Sequence, residues 1–372
     1  MMSWGLFIYR MIKYIGCFLY ICSHNTNIDL DMIKPLTSLR FIFAIMVFAA
    51  HCYVIDPYFS HFLFKEGFVG VSFFFVLSGF IIAYNYQQKI ERKEVSRRNF
   101  WIARFARVYP LHIATLLLSL LTGGYLLAIN WNTVLKFCSQ LFLLHPFVPQ
   151  TDYFFSFNSP SWSLGCEQLF YFLFPFLALW LSHTRRLLWV LMIMGMLSVW
   201  GMFFTPEEQI RAYWYVNPLT RLPDFLVGML LFKLYDKSTK NWSVNRGTWF
   251  EIGAIVLFAA FYYWGAIGLL PKVYRYSVYY WLPVSLLLYV FAMNKGAISR
   301  FLSNKYLVIG GEISYSIYLI HLFIIDLYKS TGWSYPWQIT IPIILALTIG
   351  ISLLSFYYFE KPVNKYIKTH LK

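Results

Sequence analysis

Apolar runs alternate with short basic segments from residue 36 to residue 359. Helices of roughly 20 residues cross about 30 Å of hydrocarbon, and runs of that order fall at 36–55, 66–86, 108–129, 162–181, 187–204, 221–235, 249–269, 278–294, 307–327 and 338–359. The pattern predicts an all-α integral membrane protein, a polytopic bundle of about ten transmembrane helices. Two runs, 187–204 and 221–235, are short, and their ends are the least defined. The connection 130–161 holds a further apolar stretch at 133–148 that is too short to span and reads as an interfacial or re-entrant segment.

Residues 1–31 form an amino-terminal extension ahead of a membrane domain covering 32–372. Within it, 4–22 is apolar but carries Arg10 and Lys13 on one face, which fits an amphipathic interfacial helix. A signal peptide fits less well, because no small-residue cleavage site precedes the polar stretch Ser23 to Asp31. A start of translation at Met32 is the remaining alternative. No internal repeat is visible, which counts against a transporter built of inverted halves.

Composition agrees with a membrane chain: 59% of residues are hydrophobic, 13% charged and 22% aromatic. The net charge of +15 would point to nucleic acid in a soluble protein. Here Lys and Arg sit between apolar runs, where they set topology, so nucleic acid is not an expected partner. With the segment before residue 36 inside, the inner connections hold Lys89, Arg92, Lys93, Arg97, Arg98, Arg104, Arg107, Arg185, Arg186, Lys237, Lys240, Arg246, Lys295, Arg300 and Lys305, and the tail adds Lys361, Lys365, Lys368 and Lys372. The opposite side collects Lys65, Lys136, Arg211, Arg221, Lys272, Arg275 and Lys329. The asymmetry places both termini in the cytoplasm. Cys17, Cys22, Cys52, Cys138 and Cys166 are odd in number, show no metal-ligand spacing and read as packing residues, so no metal is expected.

Ionisable groups inside spans are expensive and therefore candidates for function. Arg40 and His51 are eleven residues apart, which is three helical turns plus roughly 20°, so they share a face about 16 Å apart. Glu167 lies about one and a half turns into the fourth helix, near the depth expected for His51, with Ser163 and Tyr171 one turn to either side. A carboxylate at that depth could orient the imidazole and raise its basicity, or could only close a hydrogen-bond network with Ser163 and Tyr171. Ser314, Tyr318 and His321 form a polar stripe on the ninth helix that either lines a cavity or joins helices. Asp224, after Arg221 and Pro223, reads as a local ion pair or cap. Arg97, Arg98, Arg104 and Arg107 gather guanidinium groups at the inner boundary, suited to phosphates of membrane lipids or of a nucleotide-bearing substrate.

Two polar layers result. The inner one holds Arg40, Arg97, Arg98, Arg104 and Arg107, and the outer one His51, Glu167, Asp224 and His321. A transfer reaction across the membrane needs such an arrangement, with an anionic donor held inside and a hydroxyl acceptor activated outside.

These residues resemble the integral-membrane acyltransferase family 3 over about residue 35 to 365. Seven segments carry the likeness in register: Arg40 through His51, Gly70 to Phe80, Arg104 to Leu111, Pro160 to Tyr171, Arg221 to Phe225, Ile313 to His321, and Phe359 to Pro362. The resemblance implies a ten-helix bundle that takes an acyl group, usually acetyl, from cytoplasmic acyl-CoA to a hydroxyl of an extracytoplasmic acceptor, usually a bacterial surface glycan or lipid-linked saccharide. It implies no bound cofactor, acetyl-CoA as co-substrate, and residence in the cell inner membrane. Cys166, Asp224 and the amino-terminal extension depart from the family pattern, and none of these touches Arg40, His51 or Glu167. The chain stops at Lys372, so no periplasmic SGNH-type hydrolase domain is expected after the bundle.

On this reading Arg97, Arg98, Arg104 and Arg107 hold the CoA phosphates and the pantetheine arm passes Arg40. His51, oriented by Glu167, deprotonates the acceptor, and Ser163 or Tyr318 stabilises the oxyanion; His321 completes the expected catalytic set. Direct and two-step transfer both fit, as does a homo-oligomer. A transporter or flippase for a lipid-linked sugar or anionic solute is the alternative, using the two layers as gates. A non-catalytic scaffold would not require a buried His and Glu.

Overall fold

The computed structural model describes residues 32–372 apart from 124, 126–129, 239–240 and 372. The expected interfacial helix at 4–22, Cys17, Cys22 and Lys240 lie outside the described residues. Among the described residues the chain is helical, with no strand. Among the described residues ten long helices overlap the ten predicted runs: α1 Lys34–His51, α2 Val69–Glu91, α3 Arg97–Thr122, α4 Trp162–Trp180, α5 Thr184–Phe204, α6 Pro218–Asp236, α7 Val244–Ala266, α8 Val278–Met293, α9 Ser314–Ser330 and α10 Trp337–Ser355.

Among the described residues, eight helices are long and apolar enough to cross a membrane, and a ninth results if Lys305–Glu312 and α9, bent by 64°, count as one span. The protein is a multi-pass membrane protein. The position outside that set is α6, which is interrupted by Arg221, Asp224 and Lys233, all buried. Each finds a polar partner inside the bundle. Arg221 Nη2 lies 2.9 Å from Asp224 Oδ2, with both side chains fully buried. Arg221 also donates to Ser72 Oγ at 2.8 Å and to the Tyr276 carbonyl, and Asp224 accepts from Ser277 Oγ at 2.7 Å and from the Trp281 indole. Lys233 Nζ donates to the Ser182 carbonyl at 2.7 Å. Asp224 is therefore the ion-pair partner its local sequence indicates, tying α6 to α2 and α8.

Closest approach of α2 and α6 depends on two glycines. A Cβ on Gly79 would lie 2.0 Å from the Phe225 carbonyl oxygen, and one on Gly228 would lie 2.0 Å from that of Val76. Small residues let helix backbones meet where lipid supplies no hydrophobic drive. Gly228→Ala is expected to destabilise the bundle by about 3 kcal/mol through backbone displacement, read as a lower thermal midpoint in detergent. An unchanged midpoint would show that the two backbones can separate freely.

A second buried ion pair, Arg275 with Glu66, is completed by the Tyr280 hydroxyl donating to Glu66 Oε2 at 2.9 Å and by Arg275 Nη1 donating to the Gly265 carbonyl at 2.7 Å. Arg275 thus fastens helices rather than merely marking a loop. The apolar stretch 133–148 folds as the helix Trp131–Leu141 and a turn at His145–Phe147. Eleven residues rise only about 16 Å, and Trp131, Leu135 and Phe142 are exposed, as an interfacial segment requires.

The elements that carry the site are held tightly. Gly311, at the bend before α9, packs so closely on α1 that a Cβ would lie 1.8 Å from the Thr37 carbonyl oxygen. Phe48, Cys52, Ile320 and Ile324 then share one buried cluster, which locks the carboxyl end of α1 against α9.

Candidate active site

α1 presents Arg40 near its start and His51 as its last residue. They enter two different cavities.

The inner cavity, about 160 Å³, is lined by Arg40, Arg104, Arg107, Glu167, Tyr171 and Tyr318 among others. Three guanidinium groups face one carboxylate, so the cavity favours an anion. Glu167 Oε2 accepts from the Tyr171 hydroxyl at 2.7 Å, the i,i+4 contact expected on α4. Arg104 Nη2 donates to the Tyr86 hydroxyl at 3.2 Å, and its guanidinium stacks 5.1 Å from that ring. The Arg104 Nε–H is buried with no hydrogen-bond partner among the described residues, a donor left over for a ligand. Arg107 lies 5.9 Å from the Tyr315 ring, whose hydroxyl donates to the Val108 carbonyl at 2.6 Å.

The outer cavity is larger, about 600 Å³, and its walls include His51, Trp162, Arg211, Tyr215, Lys272 and Tyr276. Val71 and Tyr318 line both cavities and so form the wall between them. The Tyr318 hydroxyl pairs with the Ser163 side chain, and Ser163 Oγ also donates to the Pro160 carbonyl at 3.1 Å.

Hydrogen bonding fixes the tautomers of two histidines. His51 Nδ1 lies 2.9 Å from the Val47 carbonyl, and His321 Nδ1 lies 3.1 Å from the Ile317 carbonyl. A carbonyl only accepts, so each Nδ1 carries the proton of its neutral ring. His321 Nε2, left with a lone pair, lies 3.2 Å from His51 Nδ1 and shares that proton with Val47. His51 Nε2 consequently keeps a free lone pair, the form needed in a base. His321 is buried behind the ring rather than lining the outer cavity.

Three placements within the two polar layers change. Glu167 is not the partner of His51: it belongs to the inner cavity with Arg40, Arg104 and Arg107, and Tyr318 of the intervening α9 stands between. Equal depth along two helices does not make their side chains neighbours. Asp224 lines neither cavity, because Arg221 engages it. Arg97 and Arg98 are exposed on the first turn of α3 and do not line the inner cavity, and Arg97 rests 4.8 Å from the Phe176 ring. Residues missed by sequence reasoning are Arg211 and Lys272, counted there only as topology charges, and the wall aromatics Tyr215 and Tyr276. No local sequence pattern marked them, since the outer connections hold fewer Lys and Arg than the inner ones.

A family model described as "Acyltransferase domain", of the acyltransferase 3 type, matches residues 33–358. Acyltransferase MdmB of Streptomyces mycarofaciens is 28% identical over 328 residues, covering 79% of each chain. Peptidoglycan O-acetyltransferase OatA of Listeria monocytogenes is 28% identical over 338 residues, covering 81% of this chain and 52% of that protein. O-acetyltransferase OatA of Staphylococcus aureus is 28% identical over 334 residues, covering 80% of this chain and 53% of its own. The chain thus spans about half the length of these OatA proteins. No solved structure matches.

Proposed function

Because the chain belongs to the acyltransferase 3 family and is a membrane acyltransferase, we propose that it moves an acetyl group from cytoplasmic acetyl-CoA to a hydroxyl of an extracytoplasmic or lipid-linked glycan. The observation that carries this reading is the pair of cavities meeting at Tyr318, one cationic and one holding an unprotonated imidazole nitrogen. Both termini are cytoplasmic in this scheme, with residence in the cell inner membrane, as the distribution of Lys and Arg supports.

The size of the inner cavity divides the donor. At about 160 Å³ it is smaller than the roughly 300–1,000 Å³ of sites enclosing drug-sized ligands, so the thin pantetheine arm fits while the nucleotide stays at the mouth. Arg104 and Arg107 meet the charged end of the arm. Arg97 and Arg98, exposed about 10 Å further along the same helix, remain available to the CoA phosphates.

The acceptor hydroxyl lies in the outer cavity, where His51 Nε2 takes its proton as the oxygen attacks the thioester carbon. The negative charge that develops on the carbonyl oxygen is met at the dividing wall by the Tyr318 hydroxyl, supported by Ser163. Collapse breaks the carbon–sulfur bond, and His51 returns its proton to the CoA thiolate. Products are the ester and free CoA. His321, through His51 Nδ1, is a positioning residue, and Glu167 organises the inner guanidinium groups.

Labelled acetyl-CoA supplied to inverted membrane vesicles tests the scheme. Label is expected in base-labile ester of lipid-linked or glycan material. Arg104→Ala should raise KM for acetyl-CoA by about tenfold or more, the effect of losing a charged hydrogen bond, with kcat changed less. If correctly inserted wild-type protein moves no label to a demonstrated native acceptor, acetyl-CoA is not the donor.

A further inference from the structure

The outer cavity carries charge that the transfer chemistry leaves unused. Its lining holds Lys65, Arg211 and Lys272 and one carboxylate, Asp326. All three cations are exposed, and none forms an ion pair among the described residues. Lys136, in the 130–161 connection, contrasts with them in meeting Asp152 at 2.6 Å.

The three charges belong to one locus. Lys272 interacts electrostatically with Arg211 and Lys65 and also with Glu66, a carboxylate already engaged by Arg275 and Tyr280, and Arg211 interacts with His51. Aromatic side chains hold two of them in place: Lys272 Nζ lies 5.7 Å from the Phe68 and Tyr276 ring centres, and the Arg211 guanidinium lies 5.4 Å from that of Phe155 and bonds to the Tyr276 side chain. Unpaired like charges in one cavity lining repel one another, and an anion placed among them relieves that repulsion.

The wall beside these charges is a run of rings. Trp162 and Tyr215 have centres 4.6 Å apart, and Tyr215 and Tyr276 4.7 Å. Trp162 and Tyr276 are buried and Tyr215 is half-buried, so the rings form a fixed apolar wall of the cavity against which a sugar ring can rest, with hydroxyl and indole groups nearby for its polar atoms. A phospholipid headgroup would satisfy the charges but would leave both this platform and His51 without a role.

We propose that the outer cavity binds an acidic saccharide, so that the acceptor is a sugar carrying a carboxylate or phosphate near the hydroxyl that is acylated. The assignment rests on the acyl-transfer reading for its identification of the acceptor, while charge-selective binding can be measured without turnover. Arg211, within electrostatic reach of His51, orients the acid group, and the aromatic wall positions the ring whose hydroxyl meets Nε2.

Purified full-length protein in phosphatidylcholine nanodiscs is titrated with trigalacturonic acid, with its trimethyl ester, with glucose 1-phosphate and with glucose. Binding of an acidic probe about tenfold or more tighter than its neutral counterpart, as one charge-assisted contact supplies, is expected, and whichever acid binds names the group as carboxylate or phosphate. The preference should weaken with salt and largely disappear in a Lys272→Gln/Arg211→Gln variant, whose exposed positions leave the fold intact. Equal binding of acid and neutral probes overturns the proposal, as does displacement of the saccharide by phosphatidylglycerol doped into the nanodisc. Label transfer in the same preparation separates the two readings. Selective binding without transfer supports this assignment and counts against acyl transfer, whereas transfer without selectivity overturns this assignment alone.

Discussion

His51→Ala is expected to lower acyl transfer by roughly 100- to 10,000-fold, the span usually supplied by a positioned general base, in protein that still inserts and retains its thermal midpoint. The ring is part-exposed to the outer cavity and bonds only to its own helix and to His321, so its removal leaves no buried charge unpaired. His321 substitutions refine the assignment. In His321→Gln the amide oxygen can still accept from His51 Nδ1–H, whereas His321→Leu cannot, so the glutamine variant should retain more activity and a pH–rate profile closer to wild type. Equal loss in both would remove the orienting role from His321. Full activity in His51→Ala would remove the base from the mechanism altogether.

The Arg221–Asp224 pair should show the largest stability effect. Arg221→Met leaves Asp224 fully buried beside Ser277 and Trp281 without its cation. Breaking one side of a buried pair costs about 3–5 kcal/mol, while replacing both partners by apolar residues of similar volume is often close to neutral. The double variant Arg221→Met/Asp224→Leu should therefore be more stable than either single variant, and the surviving folded molecules should keep their transfer rate. A double-mutant cycle in detergent reads the coupling. Simple addition of the two losses would mean that the two side chains contribute independently, and a loss of transfer at unchanged stability would move the pair into the reactive machinery.

Much of this architecture could be read before the structure. A helix overlaps each of the ten apolar runs, because a bilayer selects apolar runs of spanning length, although eight or nine of the described helices are long and apolar enough to cross. The stripe of Ser314, Tyr318 and His321 was legible from helical spacing, and Tyr318 and His321 are the residues that meet the cavity wall and the His51 ring. Arg40 and His51 were legible as two ends of one face, and they enter the inner and outer cavities respectively. Lateral neighbours were not legible. Depth along a helix says how far a side chain lies below the membrane surface and nothing about which helix it faces, so Glu167 was matched with His51 instead of with Arg40 and Arg104. Arg275 and Glu66, separated by 209 residues, have no local signature at all. Arg211 and Lys272 were hidden by a rule that treats basic loop residues as markers of orientation, although here they border a binding wall.

A partition shared by two cavities has an electrical meaning as well as a chemical one. Tyr318 and Val71 stand in the walls of both cavities. With the inner cavity opening to the cytoplasm and the outer one to the opposite side, as proposed, water on each side carries the local potential inward. The transmembrane voltage then falls mainly across this layer rather than across about 30 Å of hydrocarbon. Moving one elementary charge through the full drop is worth about 2.3 kcal/mol per 100 mV. In the proposed scheme a proton passing between the acceptor hydroxyl, His51 and the departing thiolate travels within that focused field, so the rate of acylation is expected to respond to whether the cell membrane is energised.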